Sequence, residues 1–261
     1  MVLTKRVALV TGGGTGIGLA IAQAFLREGA FVAIGSRNQA HLRDGAEAAR
    51  AAGHEVMTLR MDVTDPLSVG AAVDAVATRY GRIDILVNNA GLSGKTPMDD
   101  PDDSRWNAII AADLTGPYLC SKRVLRVMKD GAYGRIINLS SVLGRFGVPG
   151  YTAYCAAKHG IIGFTKALAL EVAGRGVTVN TICPTWVDTA MARQGIEETA
   201  AGIGISPEEF RRQAVQAVPI KRMVEASEVA DLAVYLASPA AAGITGQAIN
   251  ICGGATAGAG D

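Results

Sequence analysis

Arg6-Val7-Ala8-Leu9-Val10-Thr11-Gly12-Gly13-Gly14-Thr15-Gly16-Ile17-Gly18 is the stretch that decides how this 261-residue chain folds. A short β-branched apolar run leads into a glycine-rich turn. From Ile17 to Glu28 the apolar residues then recur at helical spacing and stop at Gly29. A strand opening through such a turn onto a helix is the first half of a strand–helix–strand unit. The literal G-x-G-x-x-G spacing is absent; Gly12, Gly16 and Gly18 give G-x-x-x-G-x-G instead. The physical use of the glycines is unchanged. They permit a tight turn and close backbone approach to a pyrophosphate, whose charge is favoured at a helix N-terminus. A merely flexible turn is the plain alternative.

Outward from this turn the same alternation continues. Apolar strand-like runs occur at Phe31–Ile34, Val56–Met61, Ile83–Val87, Arg135–Leu139, Val177–Ile182 and Ala248–Ile251. Between them helical segments are expected at Asn38–Ala52, from Asp65-Pro66 to about Tyr80, over Asp103–Met128, over Thr152–Ala173 and over Ser227–Leu236. No linker or repeat interrupts the series. The expectation is a single-domain, Rossmann-like, doubly wound parallel α/β sheet of about seven strands with helices on both faces, spanning residues 1–261. Asp188–Val218 reads as a glycine-rich, less regular insertion, in which Ser206-Pro207-Glu208-Glu209 has the form of a helix start. Residues Ala255–Asp261 read as a loose tail.

Composition excludes several classes. A hydrophobic fraction of 49% with 19% charged residues is globular, and a net charge of +1 offers no field for nucleic acid or an anionic membrane. No signal peptide or membrane-length apolar run is evident. Cys120, Cys155, Cys183 and Cys252 are scattered and apart from His41, His54 and His159, so no metal site is expected. Scattered thiols, read as buried core residues, fit a cytoplasmic protein.

The second strand ends at Gly35-Ser36-Arg37-Asn38, with no carboxylate before Asp44. An acidic residue there would hold a ribose 2′-hydroxyl, whereas a guanidinium suits a 2′-phosphate. The expected cofactor is therefore NADP(H) rather than NAD, unless Arg37 is only a solvated surface charge.

Six features now stand in order: the Gly12/Gly16/Gly18 turn, Asp62-Val63, Asn88-Asn89-Ala90-Gly91, Ser141, Tyr154-x-x-x-Lys158, and Pro184 with Thr189. From about Lys5 to Gly254 the chain resembles the short-chain dehydrogenases/reductases. The resemblance implies that Gly12, Thr15, Gly16, Ile17 and Gly18 hold the pyrophosphate, with Ser36, Arg37 and Asn38 at the adenosine phosphate. It also implies that Asp62 and Val63 meet the adenine and that Asn89, Ala90 and Gly91 line the dinucleotide. Val187 and Thr189, after Pro184, would hold the carboxamide. Ser141 would bond the substrate oxygen, Tyr154 would act as acid or base, and Lys158 would also hold the nicotinamide ribose.

That chemistry can be rebuilt from the residues. Tyr154 and Lys158 are four apart on a helix, on one face and about 6 Å along its axis. A free tyrosine titrates near about 10, too high for a base at neutral pH, and a nearby ammonium favours the phenolate. Tyr151 has Cys155 at its i+4 position and lies ten residues after Ser141, against thirteen for Tyr154, so it is assigned to the pocket. Two departures from the family pattern stand out. Asp113, in Ala112-Asp113-Leu114-Thr115-Gly116, replaces the asparagine of a string like N-L-T-G, and Thr185-Trp186 follows Pro184 where glycine is common. Asp113 is expected to keep the relay position behind Lys158 and to shift the pH optimum.

Ser93, Leu143, Tyr151, Trp186 and Met191 are candidate pocket residues, implying a hydrophobic or bulky carbonyl. The strings at Gly246–Gly254 and Lys158–Lys166 are similar to aromatic-polyketide ketoreductases and 3-oxoacyl-carrier-protein reductases. The expected reaction is hydride transfer between nicotinamide and a ketone or secondary alcohol, including β-ketoacyl thioesters of CoA or a carrier protein. Arg126, Lys129, Arg211 and Arg212 are either contacts for such a carrier or a solvated face. An NAD-dependent alcohol dehydrogenase and a non-catalytic dinucleotide-binding protein are the alternatives. The family resemblance also implies a homotetramer.

Overall fold

The computed structural model describes residues 1–128 and 133–257. Lys129 and the end of the tail lie outside the described residues, while Ala255–Ala257 close as a turn on Cys252 and Gly254. In chain order the elements are β1 Val7–Thr11, α1 Gly16–Arg27, β2 Phe31–Ser36, α2 Gln39–Ala51, β3 Met57–Arg60, α3 Pro66–Tyr80, β4 Ile85–Asn88, α4 Ser104–Ile110 and α5 Gly116–Val124. They continue as β5 Gly134–Leu139, α6 Thr152–Val172, β6 Val177–Pro184, α7 Ala190–Ile203, α8 Pro207–Ala217, α9 Ala226–Ala237 and β7 Ala248–Ile251.

The seven strands form one parallel sheet in the order β3-β2-β1-β4-β5-β6-β7. Strand order reverses between β1 and β4, so the chain leaves these two strands in opposite directions and a crevice opens beyond their carboxyl ends. Side chains alternate across the sheet. Ala8, Val10, Ile85, Val87 and Ile137 pack with α1 and α9 on one face. Leu9, Leu86, Ile136 and Val179 pack with α3, α5 and α6 on the other. Local chemistry sets the helix starts: Asp65 Oδ1 accepts from Leu67 N–H at 2.9 Å ahead of Pro66, and Ser206 Oγ accepts from Glu209 N–H at 3.1 Å ahead of Pro207.

Three expectations need correction. Asp103–Met128 is not one helix. Pro117 has no N–H to give the Asp113 carbonyl four residues back, and its ring crowds that carbonyl. The backbone widens into a π turn at Ala111–Thr115, with Gly116 N–H bonded to Ala111 O, and α5 ends at Val124. The 188–218 insertion is regular: it forms α7 and α8, Gly195 lies within α7 against Trp186, and Gly204 caps α7 in the left-handed region. Cys155 is half-buried rather than a core thiol.

Ile136 lies at the centre of the sheet with no exposed surface. Ile136→Ala is expected to lower unfolding free energy by about 2–5 kcal/mol in urea denaturation. A loss as small as that of a surface substitution contradicts this packing.

Candidate active site

The strand ends are locked together before any ligand is considered. Thr11 Oγ1, at the end of β1, accepts from the N–H groups of Asn89 (3.0 Å) and Ala90 (3.1 Å). Asn89 Nδ2 returns bonds to the carbonyls of Thr11 (2.9 Å) and Gly12 (3.2 Å). Asn88 Nδ2 donates to Asn138 Oδ1 (2.8 Å), Asn138 Nδ2 to Thr165 Oγ1 (2.8 Å), and Thr181 Oγ1 to Thr165 Oγ1 (2.6 Å). This buried chain fixes β4, β5, β6 and helix α6 to one another. Ser140 Oγ then donates to the Lys158 carbonyl at 2.8 Å, which sets the height of α6 against the end of β5.

Beyond these ends lies a cavity of about 540 Å³. At its adenosine end are Ser36, Arg37 and Asn38; along its middle are Gly12, Thr15, Gly16, Ile17, Val63, Asn89, Ala90 and Gly91; at its far end are Ser93, Asp113, Tyr154, Lys158, Thr189 and Met191. Gly18 lies behind the turn, where a side chain would meet the Gly12 carbonyl and Asn89. The glycine cradle and the size of the cavity fit a dinucleotide. Arg37 is 58% exposed, with its Nη1 3.7 Å from Asp62 Oδ2. Asp62 is half-buried, which pushes its carboxyl up, but hydrogen bonds from Thr64 and the Arg37 charge hold it below the usual range. It is therefore ionised, and its pairing with Arg37 is loose enough to yield to a phosphate. Thr189 caps α7, its Oγ1 accepting from Ala192 N–H at 3.3 Å. Val187 is buried and bridges Val224, and Pro184 ends β6 beneath them.

At the far end the helix spacing of Tyr154 and Lys158 brings the ammonium to 5.3 Å from the phenol ring centroid. Ser141 is hydrogen-bonded to the Tyr154 phenol, and its Oγ also accepts from Leu143 N–H at 3.1 Å. Lys158 Nζ donates to the Leu139 carbonyl at 2.9 Å and lies 2.9 Å from Asp113 Oδ2. The other Asp113 oxygen accepts from Leu92 N–H at 2.7 Å. Gly91 makes room for this carboxylate: a Cβ there would stand 2.7 Å from Oδ2.

These contacts set the proton affinities. Burial pushes the Asp113 carboxyl up, opposed by the Lys158 ammonium and the Leu92 N–H. Burial is the largest influence on Lys158 and pushes it down; the Asp113 charge and hydrogen bond, with Tyr154, together overcome it and hold the ammonium above the ordinary lysine range. For Tyr154 burial is the largest influence and raises the phenol; Asp113 adds to the rise, and Lys158 and Ser141 oppose it. The ammonium was expected to lower this group. In the protein alone burial prevails, because the ammonium's field is partly cancelled by Asp113, and the phenol is held protonated.

Several pocket candidates sit elsewhere. Trp186 packs edge-on against Phe210 of α8 at 6.2 Å, since the two helices of the insertion supply it with an apolar partner. Tyr151 is buried, its hydroxyl 3.0 Å from Thr199 Oγ1, joining the start of α6 to α7. Neither Leu143 nor these two lines the cavity. Arg211 and Arg212 are paired with Asp188 and Glu209. Gln194 and Glu198 of α7 and His41 of α2 do line the cavity. Sequence reasoning missed Gln194 and Glu198 because residues 190–203 carried no helical reading, although the two stand one turn apart. Among the described residues no group of three or more His, Cys, Asp or Glu side chains could hold a metal, and no helix is long and apolar enough to cross a membrane.

Comparison with known proteins agrees with this geometry. A family model described as enoyl-(acyl carrier protein) reductase matches residues 12–256. The 3-oxoacyl-[acyl-carrier-protein] reductase of Haemophilus influenzae is 41% identical over 250 residues, 95% of this chain and 97% of that one. The crystal structure of a single-substitution variant of actinorhodin polyketide ketoreductase with NADPH superposes with a TM-score of 0.91 at 42% identity, covering 96% of this chain and 97% of that one. An NAD⁺-bound xylitol dehydrogenase also gives 0.91, at 31% identity, covering 97% and 99%.

Asp113→Ala leaves the Lys158 ammonium buried without its counter-charge. It is expected to destabilise the protein by about 3–5 kcal/mol in urea denaturation. A loss close to zero contradicts the buried pair.

Proposed function

This chain belongs to the short-chain dehydrogenase/reductase family, and we propose that it is an NADP(H)-dependent ketoreductase moving hydride between nicotinamide and a ketone or secondary alcohol. One observation carries the reading: a single cavity runs from Arg37, with no carboxylate among residues 36–38, to the Tyr154/Lys158/Asp113 cluster. Similarity alone points both ways on the coenzyme, since the solved relatives include an NADPH and an NAD⁺ complex. The end of β2 decides for NADP(H), because a guanidinium gives a 2′-phosphate two donors and a counter-charge.

The bound coenzyme supplies the hydride. The chain's own residues position the substrate and handle the proton. The glycine turn, Asn89, Ala90 and Gly91 would hold the dinucleotide along the crevice, with Val187 and Thr189 at the carboxamide and Lys158 at the nicotinamide ribose. Ser141 and Tyr154 present two hydroxyls to one substrate oxygen. In reduction Tyr154 gives its proton to that oxygen as the carbon receives hydride; in oxidation it takes the proton back. The protonated phenol described above is the state that carbonyl reduction requires. Lys158, held charged by Asp113, stabilises the phenolate left behind.

For the substrate we favour a hydrophobic or cyclic ketone or a β-ketoacyl thioester on CoA or a carrier protein. Leu92 and Met191 give the far end apolar walls, and the named reductases among the relatives support the reading. The free thiols of all four cysteines support a reducing, cytoplasmic setting. Exposed Tyr118 and Leu170, on α5 and α6, support a homotetramer built on those helices.

Two measurements follow. With NADPH and a ketone, Arg37→Gln is expected to lower kcat/KM by roughly 10- to 100-fold, the loss of charge-assisted bonds to phosphate, and to leave NADH little affected. Wild-type protein that uses NADH as well as NADPH overturns the assignment. In alcohol oxidation the limb that rises with phenolate formation should move to lower pH in Asp113→Asn, because the carboxylate that raises Tyr154 is gone while the Leu92 bond can persist. An unmoved limb contradicts the electrostatic role of Asp113.

A further inference from the structure

The far end of the cavity has two walls that approach from different parts of the chain. One is the loop after β4, with Leu92 and Ser93 facing the cavity; the other is α7, with Met191, Gln194 and Glu198. The Glu198 carboxylate is the point at which they are joined. Its Oε1 accepts from Arg105 Nη2, at the start of α4, at 2.9 Å and from Gln194 Nε2 at 3.0 Å, and a backbone hydrogen bond from Lys95 adds a third donor. Half-burial pushes this carboxyl up, yet the three donors hold it below the usual range.

The loop is shaped for this contact. Gly94 has φ +153°, and the Arg105 guanidinium lies across the face where a side chain would project. Any larger residue at position 94 would displace the guanidinium from Glu198. The next residue, Lys95, rests its ammonium against Gly202 in the last turn of α7, the end where a cation is favoured by the helix dipole. The Tyr151–Thr199 hydroxyl pair ties the same helix to the start of α6. Arg105 and Glu198 are 44% and 26% exposed. Exposed ion pairs are weak, so the joint is one that a substrate can open.

We propose that Arg105 and Glu198, passing over Gly94, form a clasp that sets substrate choice by holding α7 closed over the far end of the cavity. This rests on the ketoreductase reading. A compact cyclic ketone fits within the closed walls and gains from closure, which excludes water around the reacting oxygen. A β-ketoacyl thioester carries a long chain that must pass between the loop and α7 while its ketone reaches Tyr154. The clasp therefore favours compact ketones and works against extended thioesters. Arg105 and Glu198 are positioning residues; neither touches the reacting atoms.

The test has two independent arms. Hydrogen–deuterium exchange of the whole chain, without substrate, reads the clasp alone. In Arg105→Gln and in Glu198→Gln the amides of residues 190–203 are expected to exchange at least threefold faster. Arg123→Gln, which breaks a surface pair with Asp74 far from the cavity, should leave them unchanged. In steady-state assays with NADPH, the ratio of kcat/KM for acetoacetyl-CoA to that for a cyclic ketone such as 1-tetralone should rise at least threefold in both clasp variants. Unchanged exchange in residues 190–203 overturns the clasp, and an unchanged ratio overturns its role in substrate choice. A wild type inactive on both ketones overturns the ketoreductase reading and the claim about choice together, while faster exchange still supports the clasp itself.

Discussion

An ammonium that is 7% exposed must find counter-charge and acceptors inside the protein, because burying it unpaired costs several kcal/mol. Lys158 finds the Asp113 carboxylate and the Leu139 carbonyl, each at 2.9 Å. Much of the surrounding structure follows from that need. Asp113 reaches inward from a π turn that Pro117 forces on the backbone. The loop after β4 turns at Gly91, where no side chain would fit, and gives its Leu92 N–H to the other carboxylate oxygen. The end of β5 supplies both the carbonyl below the ammonium and the serine that fixes the height of α6. Tyr154 inherits its position from that helix and its proton affinity from its burial, which the pair beneath it modulates.

The sheet connects this cluster to the dinucleotide end. Because strand order reverses between β1 and β4, the glycine turn and the loop after β4 face each other across a crevice. Thr11 and Asn89 lock the two sides together with four hydrogen bonds, so the crevice is formed without a ligand to hold it open. Arg37 at one end and Tyr154 at the other are then parts of one cavity. The chemistry of the two ends is coupled by rigid strand ends rather than by a moving part. What can move is the insertion, whose contacts with the loop after β4 are polar and partly exposed.

The sheet was legible because its strands are short apolar runs separated by helical segments, and no run was misassigned. Ser141, Tyr154 and Lys158 were legible because their spacing survives folding: four residues on a helix remain one turn apart. Asp113 was legible as a departure set behind Lys158, where the structure pairs it; the π turn that aims it was not, since that depends on a proline four residues later acting against a helical pattern. The 188–218 segment was read as irregular because its glycines obscure the helix period; in the structure they fall at ends and contact points. Trp186 was assigned to the pocket by its place after β6. Its edge-on partner, Phe210, lies in a helix whose docking no local pattern records. The sign of the Tyr154 shift was missed for a related reason. Spacing reveals the ammonium but not the burial that outweighs it.

The central claim is that Tyr154 supplies the proton while a carbonyl carbon receives hydride from NADPH. Single-turnover reduction of a ketone with NADPH carrying deuterium at both C4 positions, in wild type and in Tyr154→Phe, tests it most directly. The account predicts deuterium on the carbinol carbon of the wild-type product, and a rate lower by roughly 10²–10⁴-fold in the variant with coenzyme binding retained. Deuterium transfer at an undiminished rate in Tyr154→Phe, or a product without deuterium at that carbon, contradicts it.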